Sequence, residues 1–134
     1  MICLPDTNAW ISYLRRKSPA LVQRFLQTDP TDIRLCSVVL GELIYGVHHG
    51  PPSYRDHNAS LVLKLRQQFA SLAFDDPAAE EYGKLRAGLA AQGLMIGPND
   101  LMIAATPLAT RLIVVTHNTA ELGRVSGLTL EDWE

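Results

Sequence analysis

The chain has 134 residues, of which 47% are hydrophobic and 19% charged, a composition typical of a globular domain with a core of its own. Its formal net charge of -2 argues against a broad, non-specific nucleic-acid surface, although the basic run at residues 15–17 permits a local one. No apolar run is long enough to cross a membrane and no signal-peptide pattern is present, so we expect a cytoplasmic, non-membrane protein with a single domain over residues 1–134.

Short apolar runs alternate with helical patterns along the whole chain. Five runs are typical of buried strands: residues 1–4, 33–36, 72–74, 111–116 and 128–130. Between them the hydrophobic pattern predicts six helices, which start near residues 9, 19, 37, 54, 76 and 98. Continuous apolar strands alternating with helices indicate a parallel sheet covered on both faces. In such sheets the working site lies beyond the carboxyl ends of the strands, which is where Asp6 and residues 116–118 stand.

Single residues mark several of these boundaries. Pro5 ends the first strand because it cannot donate a ladder hydrogen bond. Ser18 and Ser37 are expected to cap the second and third helices. Cys3 and Cys36 lie alone within apolar runs, without a C-x-x-C spacing, which indicates buried free thiols.

Residues 97–105 are the most informative stretch of the chain. Pro98 suits the first turn of a helix, and the five apolar residues after Asp100 predict a helix that is buried all round. A carboxylate at the mouth of a buried helix is either its N-cap or part of a cation site. Pro107 lies farther along this helix, and we expect a kink or an early end near Thr106 because an interior proline costs about 3 kcal/mol.

Three acidic residues, far apart in sequence, fall near helix N-terminal halves in this architecture: Asp6, Glu42 and Asp100. Each has a structural alternative, since Asp6 and Asp100 could cap helices and Glu42 could lie at the rim of a half-covered helix. If the three converge, two carboxylates about 4 Å apart repel by roughly 4 kcal/mol at an effective dielectric of about 20, so a cation between them is expected. Carboxylates without cysteine favour Mg²⁺ or Mn²⁺ and metal-assisted hydrolysis of phosphodiester bonds.

Four motifs in order carry a family resemblance: PDTN at residues 5–8, SVVLGELIYG at 37–46, IGPNDLMIAA at 96–105 and VVTHN at 114–118. Together with the ending at residues 127–133, they resemble the PIN-domain ribonucleases, and more narrowly the VapC-type toxins of bacterial toxin–antitoxin pairs. The resemblance covers nearly the whole chain. It implies an α/β fold, a PIN-like α/β/α sandwich with a central, mainly parallel sheet of four to five short strands. It also implies a Mg²⁺-dependent endoribonuclease, an RNA substrate, homodimers and inhibition by a cognate VapB-type antitoxin.

The resemblance also assigns site residues, which are written here by position. The catalytic positions fall on Asp6, Glu42, Asp100 and Asn118, and the first three are the expected metal ligands. Some relatives carry Asp at the fourth position, so the neutral Asn118 removes one charge from a second metal position, which Glu121 could restore. His117 could contact a phosphate or base of the substrate, or could lie simply at the surface.

Two other classes of function compete with a ribonuclease. The first is a catalytically inactive PIN-fold module that only binds a protein partner, although retention of all three acids speaks against it. The second is a phosphotransfer enzyme or receiver domain, which also places an Asp after the first strand. Phosphotransfer enzymes with an Asp nucleophile require a second acidic residue two positions after the first, and Asn8 occupies that position here.

Overall fold

The computed structural model describes residues 2–134. The first strand is predicted over residues 1–4, and its first residue, Met1, lies outside the described residues. The strands are β1 (Cys3–Pro5), β2 (Arg34–Cys36), β3 (Ala70–Leu72), β4 (Ile113–Val115) and β5 (Thr129–Glu131). The helices are α1 (Thr7–Arg15), α2 (Pro19–Gln27), α3 (Ser37–His49), α4 (Arg55–Gln68), α5 (Asp76–Gln92), α6 (Pro98–Thr110) and α7 (Thr119–Leu122). Across residues 2–134, none of the helices has both the length and the apolar character needed to span a bilayer.

The strands form a parallel sheet in two hydrogen-bonded portions. β1 and β5 both pair with β4, so that Leu4 lies opposite Val114 and Val114 opposite Leu130. β2 pairs with β3, and an isolated parallel bridge between Cys3 and Ile33 joins this pair to β1. The spatial order is therefore β3-β2-β1-β4-β5, and the predicted parallel sheet of four to five strands is confirmed.

Alternate residues of β4 serve two separate hydrophobic clusters, as the two-residue period of a strand requires. Ile113 and Val115 pack in a cluster that contains Trp10, Phe25 and other residues of α1 to α4. Val114 packs in a second cluster with residues of α5, α6 and α7. The sheet is therefore covered by helices on both faces, which confirms the α/β/α sandwich.

Local capping follows the sequence in some places and departs from it in others. The Ser18 hydroxyl accepts a hydrogen bond from the Leu21 N–H and caps α2 as expected. Ser37 does not cap α3, because it is already the first helical residue and its hydroxyl donates to the Leu72 carbonyl at 3.4 Å. That contact reaches β3, which ends at Leu72 instead of beginning there, two residues earlier than predicted.

The buried helix α6 does not end early at Pro107. It continues to Thr110, and the early end expected near Thr106 is therefore wrong. Thr106 and Pro107 are both buried, so tertiary packing outweighs the low helix propensity of proline. The Thr106 hydroxyl also donates to the Met102 carbonyl, one turn back along the helix.

Candidate active site

Asp6 connects the end of β1 to the start of α1. Its side chain is 5% exposed, and its Oδ1 accepts a 2.9 Å hydrogen bond from the Ala9 N–H, so it does cap α1. Its Oδ2 accepts a 2.6 Å hydrogen bond from the Thr116 hydroxyl, just beyond the neighbouring strand β4. Burial raises the pKa of Asp6, and the hydrogen bonds from Thr116 and Ala9 oppose that rise. The capping role therefore coexists with a place at the carboxyl edge of the sheet.

Glu42 reaches the same edge from α3. Its neighbours Val39 and Leu43 are buried, whereas Glu42 itself is half-buried, so the rim position is the one that the fold adopts. The Thr7 hydroxyl, on the first turn of α1, donates a 2.5 Å hydrogen bond to Glu42 Oε1. This contact fixes the carboxylate toward the N-terminus of α1, beside Asp6.

Asp100 lies in the first turn of α6, but it is not the N-cap. Gly97 occupies that position and no side-chain capping hydrogen bond is formed there, so the structural alternative for Asp100 is wrong. Burial, followed by the charges of Glu121, Asp6 and Glu42, raises the pKa of Asp100 to about 6.

The three carboxylates line one pocket of about 230 Å³. Its remaining walls come from Thr7, Asn8, Gly97, Pro98 and Asn99. The acids that the sequence singles out therefore come together, although 36 and 58 residues separate Asp6 from Glu42 and Glu42 from Asp100. The donor set is all oxygen and contains no cysteine or histidine, and this set suits a hard divalent cation such as Mg²⁺ or Mn²⁺.

Asn118 stands outside this pocket, where it makes a contact of a different kind. Its side-chain amide donates a 2.9 Å hydrogen bond to Glu121 Oε2. The other oxygen of Glu121 accepts a 2.9 Å hydrogen bond from the Gly97 N–H, directly before α6. These two hydrogen bonds lower the pKa of Glu121, and the bond from Asn118 has the larger effect. Asn118 and Glu121 thus tie the end of β4 to the turn that carries Asp100.

A second pocket, of about 310 Å³, shares Asp6 and Asn8 with the acid pocket. His117, Asp132 and Glu134 stand in its wall, and His117 Nδ1 lies 2.9 Å from an Asp132 oxygen and 3.5 Å from a Glu134 oxygen. One ligand atom from each of the three lies within 4.8 Å of the others, but all three residues are exposed, and exposed acidic groups commonly cluster without an ion. The hydrogen bond and charge of Asp132 raise the pKa of His117.

Neither Asp132 nor Glu134 is among the site residues that the sequence predicts. The only available signal was the acidic, tryptophan-containing ending. The contact depends on the pairing of β5 with β4, which brings the last residues beside the end of β4.

The model of the family described as "PIN domain" matches residues 3–128, and the parallel sheet with acidic residues gathered beyond its carboxyl ends agrees with that class of nuclease. The chain belongs to this family and, within it, to the VapC ribonucleases. It is 38% identical over 128 residues to the "tRNA(fMet)-specific endonuclease VapC" of Shigella flexneri. The aligned region covers 96% of this chain and 95% of the relative. Against "Ribonuclease VapC2" of Haemophilus influenzae the identity is 30%, with the same coverage of both chains.

Solved structures agree with this assignment. The structure described as VapBC2 from Rickettsia felis bound to a promoter DNA fragment superposes with a TM-score of 0.91 at 30% identity, over 100% of both chains. DNA-bound VapBC from Salmonella typhimurium gives a TM-score of 0.92 at 32% identity, over 100% of this chain and 99% of that one. The enzyme class expected from the sequence, a nuclease, is therefore confirmed.

Proposed function

We propose that the chain is a Mg²⁺-dependent endoribonuclease and the toxin of a toxin–antitoxin pair, acting in the cytoplasm as one PIN domain. The observation that carries the proposal is the convergence of Asp6, Glu42 and Asp100 on one pocket from three different elements. Burial, and after it the charges of neighbouring carboxylates, raise the pKa of Asp100, and a divalent cation would relieve the repulsion among these charges. Mn²⁺ would satisfy the same ligand set.

Two threonines orient the carboxylates that would hold the ion. Thr116 directs one oxygen of Asp6, and Thr7 directs one oxygen of Glu42. Hydrogen bonds of this kind restrict a ligand's rotamers and thereby raise its affinity for the metal. A bound Mg²⁺ would supply an activated water and neutralise charge on the phosphodiester.

Asn118 contributes indirectly in this proposal. Its amide holds Glu121, and Glu121 holds the Gly97 N–H, so the pair positions the turn from which Asp100 projects. A neutral residue at the position where some relatives carry Asp leaves the second metal position with less charge. We therefore expect the second ion to bind weakly or only together with RNA.

The proposed substrate and partner follow from the relatives and from an apolar groove beside the acid pocket. The Shigella flexneri relative is named for a transfer RNA, and the matched solved structures are VapBC complexes. In this chain a groove of about 830 Å³ shares Glu42 and Asn99 with the acid pocket, and Tyr45, 63% exposed, lies in its wall. An apolar groove beside the acid pocket suits a segment of a VapB-type antitoxin, and the proposed homodimer rests on the resemblance to VapC-type toxins.

The direct test is cleavage of RNA by the purified chain with Mg²⁺, with EDTA, and with Mg²⁺ plus a VapB-type antitoxin. We expect cleavage that requires the metal and stops when the antitoxin is added. A chain that forms a stable complex with the antitoxin but cleaves no RNA with Mg²⁺ or Mn²⁺ would support the inactive partner-binding module instead.

A further inference from the structure

The pocket between Asp6 and the C-terminal residues has few free hydrogen-bond donors, although an RNA strand presents mainly acceptors. The Thr116 hydroxyl donates to Asp6, and the Ser12 hydroxyl donates to Glu134 at 2.8 Å. One amide hydrogen of Asn118 is committed to Glu121, and the Trp133 N–H donates to Glu131 at 2.8 Å. A phosphate that enters this pocket would therefore find most donors already occupied.

Among the residues described, two side chains of this pocket keep a free donor, the amide of Asn8 and the imidazole of His117. Of the side chains in residues 2–134 that line this pocket or the acid pocket, His117 is the only one that can carry a positive charge. Its side chain is 69% exposed, so a ligand can reach it. Its Nδ1 is engaged by Asp132, and the Nε2–H is the nitrogen that remains for another acceptor.

Asp132 and Glu134 orient this imidazole as well as favouring its charged form. Asp132 fixes Nδ1 at 2.9 Å, while Glu134, itself held by Ser12, lies at 3.5 Å from the same nitrogen. Both carboxylates also compensate the charge locally, so His117 offers a directed, charge-assisted hydrogen bond more than long-range attraction. A contact of this kind helps to position a bound strand.

We propose that His117 is an RNA-binding residue, whose Nε2–H donates to a phosphate oxygen next to the scissile phosphodiester. The inference rests on the proposed ribonuclease function and adds a contact in a pocket that Glu42 and Asp100 do not line. The pocket shares Asp6 and Asn8 with the acid pocket, so a strand whose scissile phosphate lies at the acids can continue past His117.

Two substitutions separate substrate contact from a merely structural role. In His117→Gln the amide nitrogen takes the place of Nε2, whereas in His117→Asn it takes the place of Nδ1 and retains the bond to Asp132. Each would be placed in an Asp100→Asn parent, so that binding is measured apart from cleavage. The probe is a fluorescent single-stranded RNA of mixed sequence, and the measured quantities are Kd and its dependence on salt.

We expect His117→Asn to weaken RNA binding by about five-fold, the range of one exposed, charge-assisted hydrogen bond. His117→Gln should recover most of that affinity. In both variants the salt dependence of log Kd should fall by at most about 0.7, the value for one uncompensated phosphate contact on a single strand, because the two carboxylates offset part of the charge of His117. The matched substitutions of His57, exposed on α4, should change neither quantity.

The opposite order would overturn the inference. If His117→Asn binds RNA like its parent while His117→Gln binds weakly, the residue serves only to tether Asp132. A parent that binds no RNA would overturn it as well. If the wild-type chain fails to cleave RNA but the variants keep the expected order of Kd, the proposed catalytic function fails and the RNA contact stands.

Discussion

The Thr116 hydroxyl donates a 2.6 Å hydrogen bond to Asp6 Oδ2 across 110 residues of sequence, and both side chains are buried. This bond joins the ends of β1 and β4, two neighbouring strands. Each oxygen of Asp6 then accepts one hydrogen bond, Oδ2 from Thr116 beyond β4 and Oδ1 from the N–H of Ala9 in α1. A buried carboxylate without such partners would favour its neutral form, which binds metal poorly. The proposed site therefore depends on sheet pairing as well as on the acids themselves.

Replacement of Thr116 by valine should remove this bond while it keeps the volume of the side chain. We expect RNA cleavage at limiting Mg²⁺ to fall by about 10- to 100-fold, as for other residues that orient a metal ligand. The free energy of unfolding should fall by about 1–2 kcal/mol, since Asp6 is left with an unpaired oxygen. Thr116→Ser keeps the hydroxyl and should retain most of the activity; equal losses in both variants would contradict this account.

The bond from Thr7 to Glu42 allows a parallel test at a half-buried position. Thr7→Val should raise the Mg²⁺ concentration for half-maximal cleavage by about ten-fold, because Glu42 loses the group that directs it. The melting temperature should change little. Thr129→Val, at an exposed position of β5, is the matched control. An unchanged Mg²⁺ requirement in Thr7→Val would exclude Thr7 from the support of the site.

The raised pKa of Asp100 predicts a pH dependence of stability. The folded chain holds this proton up to about pH 6, whereas an Asp with the ordinary pKa of 3.8 has released it. Between these values the folded state binds more protons than the unfolded state, so the free energy of unfolding falls as pH rises. Allowing for solvent screening, we expect about 1 kcal/mol to be lost across this window.

Asp100→Asn should remove that loss, so the variant should be more stable than the wild type at pH 7 without metal. Mg²⁺ should stabilise the wild type at pH 7 and much less at pH 5, since the ion binds the ionised carboxylate. Denaturant titrations across this pH range measure both effects. A wild-type profile that stays flat and matches the variant would contradict the proposed charge cluster.

Asn118 offers a substitution toward the more acidic form of the site. Asn118→Asp breaks the hydrogen bond to Glu121 and places two carboxylates together, so without metal we expect a loss of about 0.5–1 kcal/mol. Added Mg²⁺ should more than offset this loss, and cleavage should need less metal than in the wild type. The double variant Asn118→Asp with Glu121→Gln removes the repulsion between the two carboxylates and keeps the new acidic side chain. Calorimetry with Mn²⁺ then measures metal binding in each variant. Unaltered metal affinity would exclude Asn118 from the second ion position.

Much of the fold could be predicted because local signals agreed with the tertiary structure. Ser18 caps α2 and Asp75 caps α5 through side-chain oxygens, and Gly93 ends α5 with a φ of 67°, which glycine adopts easily because it has no Cβ. The errors came where packing decides. Ser37 could cap a helix as well as begin one, and the burial of α6 allows Pro107 inside it.

The candidate site divides in a similar way. Asp6 could be singled out because it follows a buried parallel strand, and Glu42 and Asp100 because acids beside apolar helix faces are unusual. Their convergence depends on how α1, α3 and α6 pack, and from the sequence it was only a condition. The contacts of Glu121 with Gly97 and of His117 with Asp132 could not be predicted. They depend on where a short helix and the last strand pack, which no local pattern specifies.

The most direct test of the account compares RNA cleavage by the wild type, Asp6→Asn and Asp100→Asn with Mg²⁺. Asp56→Asn, an exposed carboxylate on α4, is the control, and all four chains are first shown to be folded by their melting curves. We expect cleavage by the wild type and the control, and a loss of at least about 100-fold in both site variants. Equal cleavage by all four chains would contradict the carboxylate site and would indicate a contaminating nuclease.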